Sequence, residues 1–150
     1  SIVAIMTELL QLESHYRVLE LGTGSGYQTA VLAQLVAMVY TVERNFELHQ
    51  QATQRFQHLN IDNVRVKHGD GYQGWREYAP YDAIMVTAAA LEIPPQLIEQ
   101  LKPNAKLVIP IGEKYGQELI LAQKDQNNQL HTRKILDVSF VPLVKDAEHN

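Results

Sequence analysis

The sequence predicts an α/β protein with a mostly parallel sheet and an antiparallel strand pair near its C-terminal end. From residue 17 to residue 111, short apolar segments alternate with segments whose apolar residues recur at helical spacing. The connections between the apolar segments are too long for hairpins, which is typical of parallel strands joined by right-handed crossovers. Beyond them, two strand-like segments, 118–124 and 129–141, flank a polar turn at 125–128. These two segments are expected to pair as a hairpin.

Four helices are predicted from the spacing of apolar residues. The first carries Ile2, Met6 and Leu9 on one face and is expected to end near Leu12. Asn45 has the side chain of a typical N-cap and precedes the third helix. The three later helices are expected over 29–36, about 46–59 and about 96–101, and prolines precede the last one, where a missing N–H costs little.

The predicted parallel strands are rich in β-branched and apolar residues. They are expected over 17–21, 39–42, 64–68, 82–87 and 106–111. A turn is expected at 102–104, and a polar and aromatic loop at 72–80. In an open parallel sheet, ligands bind outside the carboxyl ends of the strands, where the strand order reverses. Residues that directly follow the predicted strands are therefore the first candidates for a functional site.

A glycine-rich loop follows the first predicted strand and precedes a predicted helix. Its glycines can take positive φ and approach a ligand closely, and the helix offers unpaired N–H groups. The loop differs from the G-x-G-x-x-G sequence of dinucleotide-binding proteins, because Tyr27 stands where the third glycine belongs. The candidate cofactor-binding residues of the loop are Gly22, Thr23, Gly24, Ser25 and Gly26.

Glu20 lies two residues before this loop, and its charge bears on the choice of cofactor. A carboxylate there would repel a pyrophosphate but would suit the cationic amino-acid end of a cofactor. S-adenosylmethionine carries an ammonium and a sulfonium group and no phosphate. The loop and Glu20 therefore favour S-adenosylmethionine, although the glycine loop alone does not determine the ligand.

Two further acids follow the second and third predicted strands. Glu43 comes about 20 residues after the glycine loop begins, the distance at which an acid accepts the hydroxyls of a ribose. Asp70 could accept a hydrogen bond from an exocyclic amine such as that of adenine, with the Gly71 N–H available for a ring nitrogen. Alternatively, Glu43 is a solvated strand end and Asp70-Gly71 is a simple turn.

Composition excludes several classes of function. The chain has 13 Lys and Arg against 17 Asp and Glu, so a net charge of −4 argues against non-specific nucleic-acid binding. It has no cysteine, hence no disulfide or Cys-type zinc site, and its histidines show no paired spacing that predicts a metal site. The G-x-S-x-G frame of serine hydrolases is absent around Ser25. We expect one cytoplasmic domain over 1–150, with no membrane-spanning segment.

Several segments together resemble the protein-L-isoaspartate O-methyltransferase family. The glycine loop with its preceding acid is common to many methyltransferases, whereas three segments are specific to this family. These are G-D-G-x-x-G-W at 69–75, A-P-Y-D-A-I at 79–84 and F-V-P-L at 140–143. The resemblance covers essentially the whole chain. It implies a seven-stranded Rossmann-like class I methyltransferase fold and protein repair, in which the α-carboxylate of L-isoaspartyl residues is methylated and the ester collapses to a succinimide.

The resemblance also implies roles for particular residues. Arg44 joins the cofactor-binding residues, and substrate binding is assigned to Ala88, Ala89, Val141 and Pro142. No catalytic residue is assigned, because the family's hydroxyl-bearing Thr-Ile-Ser motif lies upstream of Ser1 by alignment, and a missing N-terminal segment is expected. The implied partners are isoaspartyl-containing proteins and peptides, and a monomer is expected.

Two other interpretations remain open from the sequence. One is a class I methyltransferase of the same fold that acts on another substrate. The other is a non-catalytic nucleotide-binding module, including a dehydrogenase-like one, against which Tyr27 in place of the third glycine argues. The chain also departs from the family at 36–38, which lacks a usual glycine, and at 104–105, where Asn-Ala replaces Gly-Gly.

Overall fold

A computed structural model describes residues 1–143. These residues form a seven-stranded sheet flanked by helices. The strands are β1 (Arg17–Leu21), β2 (Met38–Glu43), β3 (Val64–His68), β4 (Tyr81–Val86), β5 (Leu101–Glu113), β6 (Gly116–Lys124) and β7 (Leu130–Val138). The helices are α1 (Ile2–Leu9), α2 (Tyr27–Leu35), α3 (Phe46–His58) and α4 (Pro95–Glu99), with short 3₁₀ turns at Gly71–Gln73 and Arg76–Tyr78.

The strand order is β3-β2-β1-β4-β5-β6-β7. Strands β1 to β5 are mutually parallel, whereas β6 is antiparallel to β5 and β7 is antiparallel to β6. The predicted parallel sheet with a C-terminal antiparallel pair is therefore confirmed. The order reverses between β1 and β4, so the glycine loop after β1 and the segment after β4 lie side by side.

The sheet is buried on both faces, which explains why its central strands are nearly continuous apolar runs. Along β1, Leu19 and Leu21 belong to one apolar cluster, together with Tyr40 and Leu97. Val18 faces the opposite cluster, whose members include residues of α1 and α2. Since side chains alternate along a strand, Glu20 shares the face of Val18 and points toward α2.

The fifth strand differs from its prediction. A turn at 102–104 was predicted, with the strand beginning at residue 106, but β5 begins at Leu101, which pairs with Tyr81. The pairing register shifts before Lys106 pairs with Ala83, and Asn104 takes a left-handed φ of 69° within the shift. The Pro-Asn pair predicted as a turn therefore lies at an irregular point of the pairing inside a longer strand.

Other boundaries also differ. The first helix ends at Leu9 and not near Leu12, and α2 begins at Tyr27 and not at residue 29. The helix predicted over about 96–101 ends at Glu99, because the next residues enter β5. The last predicted strand, 129–141, ends at Val138. Residues 140–143, here called the strap, leave β7 and lie beside the segment after β4, where Pro142 bridges to Ala89. Among residues 1–143, no helix is long and apolar enough to span a bilayer.

Candidate functional site

A cavity of about 370 Å³ lies at the carboxyl ends of β1, β2 and β4. It is at the strand-order reversal, where open α/β sheets bind ligands, and its volume is within the range of small-molecule sites. Much of its surface is apolar, with a few polar groups from Glu43, Arg44 and Thr87. The lining residues are Gly22, Gly24, Val42, Glu43, Arg44, Leu48, Gly71, Thr87, Ala88, Val141, Pro142 and Leu143.

The three glycines of the loop have different surroundings. A Cβ on Gly22 would lie 2.5 Å from the hydroxyl oxygen of Thr87, and a Cβ on Gly26 would lie 2.9 Å from the ring of Phe56. A Cβ on Gly24 would meet no protein atom within 4 Å, and this residue has a φ of 57°. Gly22 and Gly26 therefore allow close packing of the protein on itself, while Gly24 leaves open space beside the cavity.

Glu20 lies behind the loop and outside the cavity lining. Its carboxyl group is fully buried, and Oε1 accepts hydrogen bonds from the hydroxyls of Thr29 in α2 and Thr41 in β2. Since Thr41 donates to Glu20, the hydroxyl of Thr23 donates to Thr41, at 2.6 Å. Thr23 is itself 4% exposed. This chain of hydroxyls attaches the glycine loop and the first turn of α2 to the sheet.

The environment of Glu20 favours its neutral form. Burial raises the pKa of Glu20 from 4.5 to about 7, the hydroxyls of Thr29 and Thr41 oppose this increase, and the nearby Glu43 carboxylate adds to it. None of the described residues donates a hydrogen bond to Oε2 of Glu20. Glu20 is therefore a buried acid behind the glycine loop whose pKa is near neutral.

Glu43 lies at the end of β2 and lines the cavity. It is 7% exposed, and its oxygens accept two backbone N–H groups at 2.8 Å, from Gly24 to Oε1 and from Asn45 to Oε2. Each carboxylate oxygen can accept more than one hydrogen bond, so Glu43 can both shape the loop and accept from a ligand. It is not a solvated strand end. The adjoining Arg44 also lines the cavity.

The other residues of the glycine loop and the third strand end occupy different positions. The Ser25 carbonyl accepts a hydrogen bond of 2.9 Å from Nε of Arg55 in α3, outside the cavity lining. Gly71 lines the cavity, whereas Asp70 lines a neighbouring one. Oδ1 of Asp70 accepts from the backbone N–H of Tyr72 at 2.8 Å and so caps the following 3₁₀ turn.

The strap and the segment after β4 form the opposite wall. The Ala89 N–H donates to the Val141 carbonyl at 2.8 Å, and the Leu143 N–H donates to the Ala89 carbonyl at 2.6 Å. Ala88, Val141 and Pro142 line the main cavity, while Ala89 lines a second cavity that shares Pro142 and Leu143 with it. Val141 is 71% exposed. The structure thus brings the predicted substrate-binding residues together beside the cavity.

Three lining residues have no site role predicted from the sequence. These are Val42, Leu48 and Leu143. Thr87 was expected at this rim because it stands at the end of the fourth predicted strand, and its hydroxyl donates to the carbonyls of Leu21 and Gly22. Leu48 has the helical spacing of a core residue, so no local signal separates it from the core. Within residues 1–143, no group of acidic or histidine side chains is arranged to hold a metal ion.

Comparison with known sequences gives consistent matches along the chain. The model of the protein-L-isoaspartate(D-aspartate) O-methyltransferase family matches residues 1–148. Protein-L-isoaspartate O-methyltransferase 2 of Polaromonas sp. is 55% identical over 143 residues, which is 95% of this chain and 68% of that protein. The protein of the same name from Syntrophobacter fumaroxidans is 52% identical, over 95% of this chain and 58% of that protein. The chain thus spans roughly 60 to 70% of these relatives.

Solved structures extend the comparison to the fold. A protein-L-isoaspartate O-methyltransferase superposes with a TM-score of 0.90 at 32% identity, covering 97% of this chain and 47% of that one. A Plasmodium falciparum protein of the same description, in complex with S-adenosyl-L-homocysteine, gives 0.82 at 31% identity, covering 96% and 73%. Both the sequence and the fold agree with the resemblance seen in the segments at 69–75, 79–84 and 140–143. The chain belongs to the protein-L-isoaspartate(D-aspartate) O-methyltransferase family.

Proposed function

We propose that the chain is an S-adenosylmethionine-dependent protein carboxyl methyltransferase that methylates the α-carboxylate of L-isoaspartyl residues and so repairs damaged proteins. The observation that carries this proposal is the cavity of about 370 Å³ at the strand-order reversal. An acid and the glycine loop border one side, and the strap borders the other. The reaction is inferred from membership of the family, and we expect it to take place in this cavity.

The residues present fit S-adenosylmethionine. Gly24 leaves open space beside the cavity, and Glu43 lies there with both oxygens able to accept further hydrogen bonds. We assign the ribose hydroxyls to Glu43 and the adenine to Gly71 and Asp70, with Arg44 beside them. The cofactor's amino-acid end is assigned to the loop from Gly22 to Gly26, supported by the negative potential of Glu20 when it is ionised.

The wall formed by Ala88, Ala89, Val141 and Pro142 is the proposed substrate side. These residues offer mainly backbone groups and small apolar side chains, as expected for a site that accepts many different peptides. A carboxylate substrate is already an anion at neutral pH, so transfer needs alignment more than a general base. When bound, S-adenosylmethionine supplies an electrophilic methyl group. No residue of this chain is assigned as catalytic.

The direct test is methyl transfer from labelled S-adenosylmethionine to an isoaspartyl peptide. The control peptide has the same sequence with a normal aspartyl residue, so that only the position of the carboxylate differs. We expect label to enter the isoaspartyl peptide and to be lost as the ester collapses. Equal labelling of both peptides, or of neither while a different substrate is labelled, would contradict the proposed substrate.

The remaining assignments follow from composition and family. We propose that residues 1–150 form one domain, that it acts as a monomer in the cytoplasm, and that its partners are isoaspartyl proteins and peptides rather than nucleic acid. The net charge of −4 supports the last point, because nucleic-acid binding requires cations to displace counterions. Sedimentation of the purified protein tests the monomer.

A further inference from the structure

Gln117 is a buried polar side chain with no role in the proposed chemistry. It lies near the start of β6 and is 3% exposed. Its amide nitrogen donates to the carbonyls of Glu113 and Lys114, at 2.9 and 3.2 Å, and to the carbonyl of Phe140 at 3.2 Å. Its amide oxygen accepts from the Phe140 N–H at 2.6 Å. Donor and acceptor are thus both used, and every partner is a backbone group.

These partners belong to two segments that border the cavities. Glu113 ends β5 and Lys114 begins the turn between β5 and β6, and both line the second cavity, as Gln117 itself does. Phe140 begins the strap, which continues through Val141 and Pro142 along both cavities. One side chain therefore fixes the position of the hairpin turn relative to the strap.

Beyond Phe140, a few backbone hydrogen bonds and the packing of Leu143 hold the strap against the other described residues. Ala89 exchanges hydrogen bonds with Val141 and Leu143, and Ala89 itself lies in a loop. Leu143 then packs against Gly71, where an added Cβ would lie 2.8 Å from Cδ1 of that leucine. A shift of Phe140 would thus be transmitted to Val141 and Pro142, since nothing in β7 holds these residues beyond Val138.

We propose that Gln117 is a positioning residue for methyl transfer. It acts by holding the strap at a fixed position relative to the β5–β6 turn. It touches neither the glycine loop nor Glu43. Only the expected effect on the rate of methyl transfer rests on the proposed function. The structural part, that Gln117 holds the strap, can be tested whatever the chain methylates.

The kinetic test compares Gln117→Leu with Gln123→Leu. Gln123 lies on the same strand and also donates to a backbone carbonyl, that of Asn104 at 3.1 Å, but its contact is remote from the strap. Because a misplacement of about 1 Å can cost roughly 100-fold, we expect Gln117→Leu to lower kcat/KM for an isoaspartyl peptide at least about tenfold. The dissociation constant of S-adenosylhomocysteine should change less than about threefold, because the loop and Glu43 are unaltered. Gln123→Leu should behave as the wild type.

The second measurement is amide hydrogen exchange in the wild type and the variants, without substrate. Gln117→Leu should speed exchange at Phe140, Ala89 and Leu143 and leave the amides of β1 and β4 unchanged. Gln117→Asn keeps a neutral amide but is one methylene shorter, so it cannot reach the carbonyl of Glu113 and the backbone of Phe140 together. It should show an intermediate effect, and it decides between the outcomes if the leucine variant does not fold.

The outcomes separate the two proposals. Faster exchange confined to the strap, with no isoaspartyl methylation even in the wild type, would support the holding role and overturn the proposed function. A folded Gln117 variant with wild-type kcat/KM, or with losses in stability alone, would overturn the positioning role. So would unchanged exchange at Phe140.

Discussion

The buried carboxyl group of Glu20 gives a prediction about stability and pH. Its pKa is raised from 4.5 to about 7 in the folded protein, chiefly by burial. Between these two values the folded protein keeps a proton that the unfolded chain has released, so its stability falls as the pH rises. The favourable contribution is complete below pH 4.5 and is lost by about pH 7. One pH unit corresponds to about 1.4 kcal/mol, so the loss amounts to about 3 kcal/mol.

The variant Glu20→Gln removes this dependence. The amide cannot ionise, has nearly the same size, and can still accept from the hydroxyls of Thr29 and Thr41. Its nitrogen replaces Oε2, so no existing hydrogen bond is lost there, and it carries two buried N–H donors where the neutral acid carries one O–H. We therefore expect the variant to exceed the wild type in free energy of unfolding by about 2 to 3 kcal/mol at pH 8. The difference should nearly vanish at pH 4.5.

Urea denaturation of both proteins at pH 4.5, 6 and 8, without cofactor, measures this difference. Other titrating groups cancel in the comparison, and Glu47→Gln is a matched control because Glu47 is exposed in the first turn of α3. A difference between Glu20→Gln and the wild type that does not change with pH would refute the reasoning, as would a variant less stable than the wild type at pH 8. If Glu20 also attracts the cationic end of the cofactor, the same variant should bind S-adenosylhomocysteine more weakly.

Three further predictions concern the cofactor site. S-adenosylhomocysteine at 100 times its dissociation constant should stabilise the protein by about 2.7 kcal/mol and raise its melting temperature, while NAD should not; scanning calorimetry that shows the reverse would contradict the assignment. Glu43→Ala should weaken the binding of S-adenosylhomocysteine at least about tenfold. It should also lower the melting temperature, because the N–H groups of Gly24 and Asn45 lose their acceptor. Titration calorimetry with Glu47→Ala as control measures the affinity, and an unchanged affinity would remove Glu43 from the site. Gly26→Ala should destabilise the fold more than Gly24→Ala, because only the Cβ added at Gly26 meets Phe56. Gly24→Ala should mainly weaken cofactor binding. Equal melting temperatures of the two variants would refute the distinction.

Much of the fold could be predicted because local and tertiary preferences agree. The alternation of apolar strands and amphipathic helices identified every parallel strand, and the polar turn at 125–128 identified the hairpin. The turn predicted at 102–104 was wrong because proline and a left-handed asparagine, which are typical of turns, also occur at an irregular point within this strand. What decides between a turn and a strand is the pairing of Leu101 with Tyr81, a contact between distant residues.

The site could be predicted less completely. The acid at the end of β2 was found from its spacing to the glycine loop, and it does line the cavity. Glu20 was expected beside a cofactor, but the alternation of side chains along β1 turns it toward α2, and the depth of its burial depends on how closely that helix packs. The role of Gln117 has no local signal, because its partners at 113–114 and 140 meet it only after the hairpin has formed.

The order of the strands also has a consequence for folding. Adjacent strands β1 and β4 pair Val18 with Ala83, and the strap bridges Pro142 to Ala89, so the cavity depends on contacts between residues far apart in sequence. We expect such contacts to form late, because long loops must close before they are gained. The glycine loop, the β4 segment and the strap become a single cavity only when the chain from β1 to the strap is in place. A ligand in this cavity therefore stabilises the completely folded chain and not a partly folded one, and it should slow unfolding without speeding the early steps of folding.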